Sequence, residues 1–237
     1  MSSDEFDAQV TSVAALGEPI RRELYRYVVA QAEPVGREQA AAGVGVAHHV
    51  AKFHLDKLEA DGLLEVEYSR PPGRGGPGAG RPAKLYRRAS RHIEVSLPAR
   101  HYDLAGRVMA EAITAAAAQG SPVTDALRDA ARAAGRALGE QAVRHTEGRA
   151  SAADRYRAVS DVLAGYGYEP RVTPDGVILA NCPFHRLAES YTDLVCGMNL
   201  DLVDGLLDVL GPACLRARLD PAPGRCCVTL GSMSNTG

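Results

Sequence analysis

Five cysteines lie in the last quarter of the chain, and their thiols are the side chains best suited to chemistry. They are Cys182, Cys196, Cys214, Cys226 and Cys227. In a protein of the cytoplasm, such clustering favours metal ligation or redox sensing over structural disulfides. Their odd number also fits poorly with a set of fully paired disulfides.

Thiolates must come within about 4 Å of one another to share a metal. Cys226 alternates with Val228 and Leu230 on the last predicted strand and is expected to face inward. Cys227 is expected to face the opposite side. Cys214 alternates with arginines and is the least suited to be a core ligand. The predicted ligands are Cys182, Cys196 and Cys226, with His185 or Cys227 as the fourth.

Several kinds of site suit this set of residues. A Cys-x-x-His pair, as at Cys182 and His185, satisfies tetrahedral zinc when two further cysteines join it. Cysteine thiolates also hold iron–sulfur clusters. Without a metal, the cysteines would fill space beside a pocket for a small ligand, or act as a thiol redox switch. The residues alone leave these alternatives open.

A strongly basic strip lies far from the cysteines, between Tyr68 and Ile93. It contains seven basic residues and no acidic one, although the net charge of the chain is only −2. The basic residues are Arg70, Arg74, Arg81, Lys84, Arg87, Arg88 and Arg91. A local strip of this kind indicates a polyanion partner at one face, with a solvated basic loop as the alternative.

The elements around this strip form a recognisable order. Apolar periodicity predicts helices at residues 7–31, 36–42 and 47–60, followed by a strand at "LLEVEY". The stretch "PPGRGGPGAG" at 71–80 cannot be regular structure, and a returning strand is expected at 84–88. Three helices and a hairpin with a basic, glycine-rich tip predict a winged helix-turn-helix.

The third helix is the predicted recognition helix. Its apolar residues Val50, Phe53, Leu55 and Leu58 are expected to supply the buried side, which leaves basic residues to reach base edges and phosphates. His54 is expected either to contact a phosphate or to be a structural histidine. Arginines at the wing tip suit a minor groove, and those on the returning strand suit the phosphate backbone. The candidate DNA-binding residues are His48, His49, Lys52, His54, Lys57, Arg74, Arg81, Lys84 and Arg87.

Two stretches carry a resemblance. "VAKFHLDKLEADGLL" at 50–64 and "GRPAKLYR" at 80–87 are similar to the winged-helix signature of bacterial ArsR-like regulators, and closest to the SufR-type subgroup of iron–sulfur-assembly repressors. The resemblance implies a homodimer that binds an inverted repeat in promoter DNA. Some winged helices bind protein instead, which the acid-free wing makes the minor alternative.

The resemblance extends more loosely to the cysteines. SufR-type proteins carry a Cys-Pro pair after a strand, a second cysteine about a dozen residues later, and a third on the last strand. These resemble Cys182-Pro183, Cys196 and "PGRCC" here, and in that family such cysteines hold an iron–sulfur cluster. This chain departs from the pattern in its adjacent Cys226 and Cys227 and in His185, which leaves the fourth ligand, and the choice between a cluster and zinc, open.

The remaining segments complete an α+β organisation. Residues 99–147 contain two alanine-rich helices whose small-residue stripes suit dimerisation or packing within one subunit. A helix, a hairpin at "YEPRVTPDGVILAN", two helices at about 185–195 and 199–210, and two final strands follow. The predicted domains are a winged helix-turn-helix at 1–98, a helical dimerisation linker at 99–150 and an α+β sensor domain at 151–237.

The sequence therefore predicts a cytoplasmic transcriptional repressor controlled by an iron–sulfur cluster, with a zinc site or a small-molecule or redox sensor as the alternative. The acidic N-terminus is unlike a signal peptide, and no apolar run reaches the roughly 20 residues that span a bilayer. Since no phosphate-binding glycine motif or nucleophile elbow is found, an enzyme is not expected. A metal-dependent enzyme is the remote alternative.

Overall fold

The structure, a computed structural model, describes residues 3–69, 82–143, 152–173, 176–211 and 215–232. The chain divides into two compact units, Met1–Val95 and Ser96–Gly237. Each unit has a hydrophobic core of its own. Together they confirm the predicted α+β fold class.

The N-terminal unit combines four helices with a small antiparallel sheet. Its elements are α1 (Ser3–Ala15), α2 (Pro19–Val29), β1 (Val35–Gly36), α3 (Arg37–Val44), α4 (His48–Ala60), β2 (Leu64–Ser69) and β3 (Ala83–Arg88). The strand order is β1-β3-β2. Strands β2 and β3 form the predicted wing hairpin, while β1 pairs with the other edge of β3 through Val35 and Tyr86.

The single helix predicted at 7–31 is two helices, and local capping explains the break. The Glu18 carboxylate accepts hydrogen bonds from the backbone amides of Ile20 (3.1 Å) and Arg21 (2.5 Å), and Pro19 opens α2. This cap satisfies amides that have no partner within the helix, so a new helix starts here although the apolar periodicity continues.

Helices α3 and α4 form the helix-turn-helix. Gly45 ends α3 in the left-handed region at φ 76°, which favours glycine, and donates its amide to the Ala41 carbonyl. The core of the unit is built under these helices by Leu24, Val28, Val35, Leu55, Leu58, Leu64 and Tyr86. The turn therefore directs α4 across a core that its own Leu55 and Leu58 help to form.

The C-terminal unit packs helices on a second antiparallel sheet. Its elements are α5 (Tyr102–Gln119), α6 (Val123–Val143), α7 (Ala152–Gly165), β4 (Pro170–Thr173), β5 (Gly176–Leu179), α8 (His185–Ser190), α9 (Thr192–Leu210), β6 (Leu215–Leu219) and β7 (Val228–Ser232). The strand order is β4-β5-β7-β6. The helices predicted at 185–195 and 199–210 are instead the short α8 and the long α9, so Cys196 lies near the start of a helix and not at its end.

Helices α5 and α6, predicted to form a separate linker at 99–150, share the core of the C-terminal unit. Leu104 and Val108 of α5 and Leu127 and Leu138 of α6 are buried there. Packing within one subunit thus accounts for these residues, whereas Ile113 of α5 and Val123 of α6, on the same predicted stripes, are exposed. The dimer stays a prediction.

Two glycines allow α6 and α9 to approach closely. A Cβ atom at Gly135 of α6 would collide with the backbone carbonyl of Leu202, and one at Gly205 of α9 would collide with that of Arg132. Helix α9 also contacts β6 and β7, so it is the central element of the unit. In the part of the chain that the structure describes, no helix is long and apolar enough to cross a membrane.

Candidate DNA-binding surface and cysteine cluster

Helix α4 presents most of its predicted DNA-binding residues to solvent. His48, His49, Lys52 and Lys57 are all exposed. His49, Lys52 and Lys57 line one open groove of about 510 Å³ along the helix, together with Phe53, Asp56 and Ala60. The structure therefore places imidazole and ammonium groups together on the outer face of the predicted recognition helix.

His54 lies on the opposite side of α4, in the core. Its side chain is only 11% exposed, and its Nδ1 atom lies 3.5 Å from the Glu18 carboxylate that caps α2. Of the two roles expected for this residue, the structure favours the structural one, because a side chain in this position cannot reach a phosphate without leaving the core.

Phe53 was expected in the core, and that prediction is wrong. Its side chain is 64% exposed, and Ala51, His54, Leu55 and Leu58 form the buried face instead. Counting back from Leu58 and Leu55 at helical spacing gives His54 and Ala51, so the periodicity contained the correct face. Phe53 was assigned to the buried face because its side chain is hydrophobic, and not because of its position in the helical periodicity.

Lys84 was expected to contact the DNA backbone, but it lies inside the unit. Its side chain is 17% exposed, and its ammonium lies 2.8 Å from Asp56 Oδ1 and 2.6 Å from Glu59 Oε2. Both carboxylates belong to α4, whereas Lys84 belongs to the wing strand β3. We therefore remove Lys84 from the candidate phosphate ligands, because these carboxylates already occupy its ammonium.

Asp56 is the centre of a larger polar network. It accepts a hydrogen bond from the Tyr86 hydroxyl (2.6 Å) and two from the Arg37 guanidinium (2.8 and 3.1 Å). Burial alone would raise the pKa of Asp56, but the hydrogen bonds from Lys84, Tyr86 and Arg37 outweigh it and lower this pKa to about 2. The ionised carboxylate thus joins α4 to the first residue of α3 and to β3.

Two predicted residues pair with carboxylates. Arg87 is 58% exposed and lies 2.7 Å from the partly exposed Glu65, a surface pair that contributes about 0–1 kcal/mol, so a phosphate can compete with it. Lys57 is 47% exposed, but it lies 2.6 Å from the buried carboxylate of Asp61. Arg74 and Arg81, the predicted minor-groove arginines, lie outside the described residues.

In the C-terminal unit, the described cysteines come from three segments. Cys182 follows β5, Cys196 lies in α9, and Cys226 and Cys227 precede β7. All four are free thiols; Cys227 is half-buried and the other three are buried. Cys214 lies outside the described residues.

The thiols of these four cysteines interact in sequence. Cys226 shifts the pKa of Cys182, Cys182 and Cys227 shift that of Cys226, and Cys227 shifts that of Cys196. The hydrogen bond to Cys226, together with burial, raises the pKa of Cys182 far above the usual range. The hydrogen bond to Cys182 lowers the pKa of Cys226, but the bond to Cys227 and burial outweigh it and raise this pKa to about 11. The structure therefore brings thiols from three segments close enough to influence one another.

Asn199 of α9 holds this cluster from the side. Its Nδ2 atom donates to Cys226 Sγ at 3.2 Å, and its Oδ1 atom accepts a hydrogen bond from the Tyr168 hydroxyl. Asn199 and Tyr168 are both buried. The Cys226 amide also donates to the Leu179 carbonyl at 2.8 Å, which ties the cluster to the end of β5.

His185, the other proposed fourth ligand, takes a different position. It opens α8, its side chain is 54% exposed, and its Nε2 atom lies 3.2 Å from Glu189 Oε1 on the same helix. Cys227, rather than His185, therefore lies near enough to Cys196 and Cys226 to shift their pKa values.

The donor types of the cluster suit a thiolate-bound metal or iron–sulfur group. Among the residues that the structure describes, no group of three or more His, Cys, Asp or Glu side chains is arranged to hold a metal ion. The chemistry of the donors fits such a group, while their coordination geometry is not formed in this state.

The comparisons with known proteins concern the N-terminal unit. Residues 16–67 match a helix-turn-helix domain family, and this segment contains α2, α3 and α4. No curated protein and no solved structure matches the chain. The match and the exposed basic face of α4 together indicate a DNA-binding transcriptional regulator.

Proposed function

We propose that this protein is a homodimeric transcriptional repressor whose operator binding is controlled by the cysteine cluster of its C-terminal unit. The observation that carries the DNA-binding part is the outward basic face of α4 within a matched helix-turn-helix. The sensing part rests on the convergence of thiols from three segments and on the resemblance to SufR-type repressors.

Helix α4 is the element proposed to enter the major groove. His48 and His49 lie in its first turn and Lys52 in its second, where a recognition helix meets base edges and phosphates. The Asp56 network supports this role because it fixes α4 against α3 and the wing strand. A helix that is already fixed in place loses less conformational entropy when it enters a groove.

The wing is proposed to add contacts to the phosphate backbone. Arg87 and Arg88 are exposed on β3, and Arg87 can exchange its pairing with Glu65 for a phosphate. Contacts of this kind carry little sequence information and make binding depend on salt, with a slope of about −0.9 per phosphate neutralised. We expect a dimer to repeat this arrangement on both halves of an inverted repeat.

The cysteine cluster is proposed to hold an iron–sulfur group through Cys182, Cys196 and Cys226, with Cys227 as the fourth ligand. Such a group supplies sensitivity to oxygen and to iron supply when it is bound. Cys227 is preferred to His185 because it already contacts the other thiols, whereas His185 pairs with Glu189. Binding of the iron–sulfur group can change operator affinity only if the DNA-bound and DNA-free forms of the protein differ in their affinity for the group.

The test uses the full chain purified without oxygen. Iron and sulfide analysis, with the visible absorption spectrum, should show a brown protein, and the variants Cys182→Ser and Cys227→Ser should lose the iron. His185→Ala is the matched control, and it should keep the iron. Stoichiometric zinc in a colourless protein would instead support the zinc alternative.

Control of DNA binding needs a separate measurement. A duplex selected by the full chain from a random library serves as the operator, and its affinity is compared before and after exposure to air. We expect air to change the affinity of the wild type but not that of a Cys182→Ser, Cys196→Ser double variant. If the double variant keeps the wild-type affinity and the wild-type oxygen response, the proposed coupling is wrong.

A further inference from the structure

The outer face of α4 exposes an aromatic ring among basic groups. The Phe53 side chain is 64% exposed, although Phe184, in the C-terminal unit, is fully buried. Burying a side chain of this size is favourable by about 1.5–3 kcal/mol. An isolated exposed apolar residue needs no explanation in general, so its surroundings decide whether it is a contact.

Those surroundings are basic on every turn. His49 lies one turn before Phe53, Lys57 lies one turn after it, and Lys52 is its neighbour in the same groove. The acidic residue of the groove, Asp56, pairs with Lys84 and Arg37, and Lys57 pairs with the buried carboxylate of Asp61. The partner that suits this face is therefore anionic and also offers an apolar group near its centre.

The major groove of DNA combines these two properties. Phosphates line its edges, and the C5 methyl of thymine is the apolar group that a base pair presents on its floor. Residues 49, 53 and 57 follow one another at intervals of four and therefore share a face of the helix. An α4 that lies in the groove with its histidine and lysines toward the phosphates and base edges would direct Phe53 to the floor.

We propose that Phe53 reads thymine methyl groups, so that the operator half-site carries a thymine facing the middle of α4. This inference rests on the proposed function, because it assumes that α4 enters the major groove. The Phe53 ring packs edge-on against the His54 ring, with centroids 5.2 Å apart. That contact anchors one side of the ring on the core-facing His54 and leaves its remaining surface free for a base.

The test replaces thymine by uracil, which removes the methyl and leaves base pairing intact. The probe is a duplex that the full chain selects from a random library, and each thymine of one half-site is replaced in turn. We expect the wild type to bind about fourfold more weakly for each contacted methyl, the affinity equivalent of one buried methyl group. Phe53→Ala should bind more weakly and show no further loss with uracil, and Phe53→Leu should retain part of the effect.

Lys52→Ala is the control on the same face, because Lys52 is exposed in the same groove. It should weaken binding by a similar factor with thymine and uracil and reduce the salt dependence by about one phosphate. Melting curves should show that Phe53→Ala remains folded, since the side chain it removes lies outside the core. The proposal is overturned if the wild type does not distinguish uracil from thymine, or if Phe53→Ala still does. If no duplex is selected at all, the proposed DNA-binding function fails as well.

Discussion

The ammonium of Lys84 lies 2.8 Å from the carboxylate of Asp56, and this contact joins the wing to the recognition helix. The Tyr86 hydroxyl, two residues further along the same strand, donates to the same carboxylate oxygen. Both contacts lie beside the exposed basic face of α4, because Asp56 lines the same groove as His49, Lys52 and Phe53. A winged helix needs its recognition helix and its wing in a fixed arrangement. The Asp56 carboxylate helps to fix α4 relative to β3.

Replacing Asp56 by Asn should destabilise the N-terminal unit. The change leaves Arg37 without the charge that balances it and Lys84 with Glu59 as its remaining carboxylate, and hydrogen bonds to charged groups contribute about 1.5–3 kcal/mol. The Asp56 side chain is 35% exposed, so solvent screens part of this loss and we expect about 1–2 kcal/mol. Hydrogen exchange at amides of α4 and β3 measures the stability of the N-terminal unit alone. A single unfolding free energy of the whole chain is not defined, because the chain has two units.

Glu23→Gln supplies the matched control for that substitution. It removes the carboxylate of an ion pair with Arg26 in which the two side chains are more than half exposed, at 55% and 65%. We expect a change of less than about 0.5 kcal/mol. Equal effects of the two substitutions would contradict the structural role assigned to Asp56.

The same carboxylate should make the stability of the N-terminal unit depend on acid pH. The pKa of Asp56 falls from 3.8 to about 2 in the folded protein. A carboxyl group whose pKa is lowered by folding stabilises the fold at pH values above its pKa in the unfolded chain. This stabilisation should be lost as the pH falls from about 3.8 toward 2. In urea titrations over this range, the stability difference between wild type and Asp56→Asn should shrink. A difference that stays constant with pH would contradict the lowered pKa.

The sequence predicted the order of elements well and the roles of single charges less well. The winged helix-turn-helix follows from periodicity and turn residues, which are local signals. Lys84 was misjudged because its partners on α4 lie 25 and 28 positions earlier in the chain, and only the fold brings them together. Strand alternation predicted an inward side chain at Cys226, and that side chain is buried although Cys226 lies just before β7. Whether they hold a metal stays a prediction.

Gly135→Ala should disrupt the packing of α6 on α9. The new methyl would collide with the Leu202 backbone, which cannot move aside as a flexible side chain could. Overpacking of this kind costs about 1–3 kcal/mol. Gly106→Ala in α5 is the control, because nothing lies near its Cβ position, and it should stabilise the helix by about 0.5–1 kcal/mol. Thermal melting of both variants measures the contrast, and a stable Gly135→Ala would contradict the close helix approach.

Asn199→Ala should loosen the support of the cysteine cluster. The substitution removes the amide that donates to Cys226 Sγ and leaves the buried Tyr168 hydroxyl without its acceptor. An unsatisfied buried polar group costs about 1–3 kcal/mol, so the C-terminal unit should lose stability and Cys226 should react faster with a thiol reagent. Thr192→Ala is the control on the same helix, because its exposed hydroxyl bonds only to the Ala188 carbonyl. Mass spectrometry of the labelled peptides gives the rate for each cysteine. If Cys226 reacts no faster in Asn199→Ala than in Thr192→Ala, Asn199 does not hold the cluster in place.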